Sequence, residues 1–105
     1  MAETGVLIVL CTFPERSQAR QIGTALIEAQ LAACVNLLPQ VESIYRWKGK
    51  VCREDELLAV FKVPEAGYPA FEAKLVALHP YETPEVLALP VTAGSEGYLA
   101  WVLGK

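Results

Sequence analysis

The chain has 105 residues, 53% hydrophobic and 20% charged, with 9 Lys+Arg against 12 Asp+Glu for a formal net charge of −3. That length holds one domain, residues 1–105, with a modest core and excludes a second independent one. A mean hydropathy of +0.32 is high for so small a domain, so part of its apolar surface is expected to be covered by partners.

The longest run of like charge is Glu54, Asp55, Glu56, and the balance is acidic, which argues against nucleic acid as a partner. The longest apolar run, VLIVLC from Val6, is far short of the roughly 20 residues that a membrane span needs. Glu3 stands where a secretory leader would be basic, so no signal peptide is read and a cytoplasmic location is expected. Cys11, Cys34 and Cys52 form an odd set without C-x-x-C spacing, which favours reduced thiols over a disulfide framework or zinc knuckle.

GVLIVLCTF predicts a first strand, apolar and β-branched enough to lie against a core. TFPERSQARQIGTALIEAQLAA predicts the first helix: Thr12 and Glu15 have capping-box spacing, Pro14 suits a first turn, and Ile22, Leu26, Ala29 and Ala33 recur at helical intervals. From Cys34 to Val63 the period changes to two, with Val41, Ser43, Tyr45 and Trp47 on one side and Glu42, Ile44 and Arg46 on the other. Lys48 and Gly49 offer the hairpin turn, and Pro39 implies an edge strand or a bulge. EAGYPAFEAKLVALHP predicts a second helix with Pro69 near its start and Phe71, Leu75 and Leu78 on one face. EVLALPV predicts a last strand, and SEGYLAWVLGK a short terminal helix packing Tyr98, Trp101 and Val102.

This order is an α+β, ferredoxin-like βαββαβ two-layer sandwich, with both main helices on one face of a four-stranded antiparallel sheet of order 4-1-3-2 and a short C-terminal helix. The hairpin is long for its domain. Arms of about 13 residues would reach ~40 Å at ~3.3 Å per residue, against a radius of gyration of ~13 Å for a compact domain of this size. A ribbon that overshoots its own core and carries Ile44, Tyr45 and Trp47 calls for a neighbouring subunit to cover it, so a homo-oligomer is expected.

Five segments, LIVLCTFP, LAACVNLLP, SIYRWKGKV, ALHPYETPEVLALPV and YLAWV, together resemble the CutA family, the divalent-cation tolerance proteins. The resemblance runs from Val6 to Val102 in one order. It implies a tight homotrimer with hairpins and edge strands paired between subunits, similar to the trimer of the PII signalling proteins, which bind small ligands in clefts between subunits. It also implies copper or another divalent metal held by Cys11 and His79, with Glu85 a third contact. Where some relatives have two histidines before the proline, this chain has Leu78 and then His79.

The residues themselves leave alternatives open. Cysteine and imidazole suit a soft metal, yet Cys11 fits a small buried hydrophobe equally well. His79 also suits the C-terminus of the second helix, where a charged imidazole gains ~0.3 to 1 kcal/mol from the helix dipole. Pro80 and Pro84 stiffen the corner that carries His79, Tyr81, Glu82 and Glu85, as a cleft wall or a plain connection would require. Tyr45, Arg46 and Trp47 either line an inter-subunit cleft, with Arg46 and Lys48 meeting an anion, or pack an interface.

No catalytic constellation is present, so no enzyme is expected. Three readings remain: a trimeric metal-response protein, a PII-like regulator binding a small anionic ligand, and a trimeric interaction scaffold.

Overall fold

The computed structural model describes residues 2–105. In chain order the elements are β1 (Val6–Phe13), α1 (Arg16–Glu28), β2 (Cys34–Trp47), β3 (Lys50–Pro64), a 3-10 turn (Glu65–Gly67), α2 (Tyr68–Leu78), β4 (Leu87–Pro90) and α3 (Glu96–Val102). The strands form one antiparallel sheet of order β2-β3-β1-β4, the ferredoxin-like arrangement expected.

Alternation along β1 and β3 fixes which side is the core. Leu7, Val9, Cys11 and Phe13 of β1 and Leu57, Ala59, Phe61 and Val63 of β3 are buried on one face, against Ala19, Ile22 and Leu26 of α1 and Phe71 and Leu75 of α2. Each fully buried Leu, Val or Phe removes apolar surface worth about 1.5–3 kcal/mol, so this face holds the layers together. Gly23 lets α1 approach β2 closely, since a Cβ there would lie 3.2 Å from a Val35 methyl.

The hairpin follows from its turn and its bulge. Lys48 (φ 50°) and Gly49 (φ 79°) both take left-handed backbone, as a type I′ turn requires, and Trp47 pairs with Lys50 across it. Pro39 has no N–H for the ladder, and the register slips between Leu38 and Val41 so that Pro39 and Gln40 together face Leu57 alone. Past that bulge the ribbon runs beyond the helices, which makes the chain 45 Å long and only 25 × 23 Å across, with a radius of gyration of 14.3 Å.

Several local expectations are corrected. Thr12 is still in β1 and Pro14 precedes the first helical turn; Glu15 stands at the N-cap without a side-chain cap, so no capping box forms. The first helix ends at Glu28, because Gln30 turns left-handed (φ 61°), and Ala29 and Ala33 lie outside it. On α2, Leu78 is 44% exposed, and the buried stripe runs instead through Phe71, Leu75 and His79 at spacings of four. In α3 only Val102 is buried, while Tyr98 and Trp101 stay exposed.

The sheet face opposite α1 and α2 carries an apolar patch that is partly exposed in the single chain. Register places Leu87 beside Leu10 and Leu10 beside Val60, Leu89 beside Ile8, and Leu58 beside Leu38. Of these, Leu87 is 57% exposed, Leu89 46% and Leu38 41%.

Candidate functional site

The corner between α2 and β4 is built around His79. Its N–H still donates to the Leu75 carbonyl at 3.0 Å, closing the last helical turn. Pro80 then disfavours helical backbone at the residue before it, and His79 leaves the helix with ψ 140°. Its imidazole lies flat on Phe13, ring centroids 4.6 Å apart, and is only 7% exposed.

Both ring nitrogens are engaged. Nε2 lies 2.8 Å from the Thr12 carbonyl oxygen, which can only accept, so Nε2 carries the proton. Nδ1 then accepts from the Tyr81 backbone N–H at 3.0 Å. Burial lowers the imidazole pKa below its usual 6.5, while the Thr12 carbonyl and Glu56 oppose that shift. The resident form is therefore the neutral tautomer. A charged imidazole at the helix end is not what this corner holds, because a second ring proton would face the Tyr81 N–H.

Cys11 lies beside this corner, completely buried. Burial, with the charges of Glu85 and Glu56 adding to it, pushes its thiol up to about 12, so at neutral pH it is a protonated, apolar-behaving side chain. Cys11, His79 and Glu85 do come to the same end of β1. Yet a soft metal needs a thiolate and a free imidazole lone pair. In the metal-free chain the thiol is protonated and Nδ1 is taken by the Tyr81 N–H, and among the described residues no three of His, Cys, Asp and Glu converge to hold a metal ion. The Cys11 and His79 pair does not fit a metal without breaking the clasp that the His79 ring forms between the Thr12 carbonyl and the Tyr81 N–H.

From His79 the chain builds the wall of a cleft of about 730 Å³. Tyr81, positioned through its backbone N–H, sends its hydroxyl 2.6 Å to a Glu56 carboxylate oxygen. On the opposite wall the Tyr45 hydroxyl donates to Glu54. Burial and the Glu56 bond raise the Tyr81 pKa above 10, and the Glu54 bond raises that of Tyr45 to about 12, so both phenols stay protonated donors.

Ser43 and Trp47 of β2, Thr12 of β1, and Glu82 and Glu85 of the corner also line it. Four carboxylates face this space, and among the described residues no lysine or arginine does. Of the residues singled out from sequence, Tyr45, Trp47, Tyr81, Glu82 and Glu85 line the cleft, whereas Arg46 and Lys48 do not.

In the sequence Glu54 and Glu56 stand out only as part of the acidic run Glu54, Asp55, Glu56. The strand period held the missing signal: Ser43 pairs with Glu54 and Val41 with Glu56, so both acids share the face of Tyr45 and Trp47.

Comparison with known proteins agrees with this architecture. The family model described as "CutA1 divalent ion tolerance protein" matches residues 7–105. The divalent-cation tolerance protein CutA of Thermus thermophilus is 45% identical over 90% of this chain and 92% of its own length. Protein CutA of Homo sapiens is 46% identical over 87% of this chain, which spans about half (51%) of the human protein. The crystal structure of CutA1 from the psychrotrophic bacterium Shewanella sp. SIB1 superposes with a TM-score of 0.92 at 40% identity, covering 95% of this chain and 94% of that one. By sequence over nearly its whole length, and by fold, the chain belongs to the CutA1 divalent ion tolerance family.

Proposed function

We propose that the chain works as a homotrimer in divalent-cation tolerance, as a metal-responding protein and not a catalyst, with one cleft per subunit as its working site. The observation that carries the assembly is the apolar sheet face. Ile8, Leu10, Leu58 and Val60 continue into the exposed Leu38, Leu87 and Leu89 on the side of the sheet away from α1 and α2. Contiguous apolar surface of this kind, flanked by a hairpin longer than its core, marks a protein–protein contact. Three copies is the number the family resemblance supplies.

In this reading the cation meets the exposed rim carboxylates Glu82 and Glu85 loosely, keeping most of its water and without a convergent donor set, and a copper site at Cys11 and His79 is not part of it. Light scattering on the eluting protein tests the assembly: a mass of three chains is expected, and Leu87→Glu with Leu89→Glu should yield monomers. A monomeric wild-type protein refutes the assembly. Titration of the metal-free protein with copper and zinc tests the second part. Binding weakened by Glu85→Gln and unchanged by Cys11→Ala supports it, and binding abolished by Cys11→Ala restores the buried pair.

A PII-like regulator draws support from the position of the cleft, between the outer half of the hairpin and the α2–β4 corner. Its acidic lining, with Arg46 and Lys48 elsewhere, disfavours the small anion that such a regulator would take.

A further inference from the structure

We propose that the cleft is a binding site for a linear organic cation, an aliphatic amine carrying two or more ammonium groups. The sign follows from the lining. Glu54, Glu56, Glu82 and Glu85 face one space with no basic side chain among the described residues lining it, so like charges gather there without a counter-charge from the chain.

The shape of the charge follows from its dispersion. No three acidic, cysteine or histidine side chains among the described residues converge on a point. A metal ion concentrates its charge and needs convergent donors, whereas a polyamine spreads its charge over a chain and matches carboxylates set along two walls.

The material between the charges points the same way. Tyr45, Trp47 and Tyr81 supply aromatic surface, which suits both methylene spacers and ammonium groups lying over a ring face. Both tyrosine hydroxyls are already committed, to Glu54 and Glu56, which fixes the rings and the carboxylates relative to one another before any ligand arrives. A volume of about 730 Å³ is within the range of small-molecule sites and much larger than a single ion needs. The proposal shares the cleft with the metal reading but does not depend on it, since its ligand is organic and its probes contain no metal.

The test is calorimetric titration of the metal-free, assembled protein with spermidine and putrescine, with triethylene glycol as an uncharged chain of comparable length. Saturable spermidine binding near one per chain is expected, tighter than putrescine, with none for the glycol. The doubly substituted Glu82→Gln, Glu85→Gln protein should lose at least tenfold in affinity, and Trp47→Leu several-fold. Glu28→Gln, on the exposed side of α1 and outside the cleft, should change nothing. All four positions are exposed in the single chain, and each variant is compared at equal assembly mass and melting temperature.

Absence of saturable spermidine binding overturns the proposal. So does binding that the cleft variants leave intact, or that Glu28→Gln weakens equally, which would mean a general attraction to an acidic protein. Because zinc and copper are titrated separately, a failure of the metal reading leaves the spermidine result unaffected, and the reverse also holds.

Discussion

Replacing His79 with alanine removes three interactions at once. The Tyr81 N–H loses its acceptor at 3.0 Å, the Thr12 carbonyl loses a donor at 2.8 Å, and Phe13 loses the ring stacked 4.6 Å away. At about 1 kcal/mol net for each hydrogen bond and ~0.5–1.5 kcal/mol for the stacked pair, the loss is about 3 kcal/mol. Thermal unfolding at fixed protein concentration should therefore shift down by about 10 °C or more.

The same residue sets a pH dependence whose sign is determined. Burial holds the folded imidazole below its unfolded pKa of 6.5, so the unfolded chain takes up the proton first as pH falls. Stability is complete above that value and declines as pH drops below about 6.5 towards the folded pKa. His79 is the only histidine, and no other side chain has its ordinary pKa in this window, so the slope can be attributed to it. His79→Gln, which can still donate to Thr12 and accept from Tyr81, should keep much of the stability and lose the slope between about pH 5.5 and 7. A loss below about 1 kcal/mol in the alanine protein, or an unchanged slope in the glutamine protein, would refute the clasp.

Cys11, with its thiol pushed up to about 12, should resist iodoacetamide at pH 8 until the protein is unfolded, as peptide mass spectrometry would show; alkylation of Cys11 in the native protein would contradict its burial. Gly49→Ala has open space for its Cβ, so its cost is the left-handed backbone alone, about 1–2 kcal/mol by denaturant or thermal unfolding. Phe71→Ala empties a site in the middle of the core against Phe61 and should cost about 3–5 kcal/mol, measured the same way.

Element order, sheet order and the overshooting hairpin were legible because each rests on a period or a steric rule. Alternation marked β2 and β3, Pro39 marked the bulge, and Lys48-Gly49 marked the turn. Helix ends were less legible, because Thr12 and Glu15 satisfy a capping-box pattern that the last residues of β1 override. The cleft was half legible. Tyr45, Trp47, Tyr81, Glu82 and Glu85 carried chemistry on their faces, but Glu54 and Glu56 become a wall only once register sets them under the two tyrosines. The protonation and partners of His79 were not legible. They depend on a carbonyl 67 residues away, although the spacing of Phe71, Leu75 and His79 already hinted at a buried ring.

These contacts form a chain of dependence from core to cleft. The Phe71, Leu75 and His79 stripe seats α2, Pro80 turns His79 out of the helix, and the imidazole binds Thr12 on one side and the Tyr81 N–H on the other. Tyr81, so fixed, reaches Glu56, and the corner carries Glu82 and Glu85 along with it. The geometry of the acidic wall is thus held by a neutral imidazole that does not itself line the cleft. A change at His79 should therefore weaken cation binding in the cleft while leaving every carboxylate in place, and His79→Gln should restore part of it where His79→Ala does not. If His79 were instead a ligand, glutamine and alanine would abolish binding alike. The comparison of those two variants in one titration separates a positioning role from direct coordination.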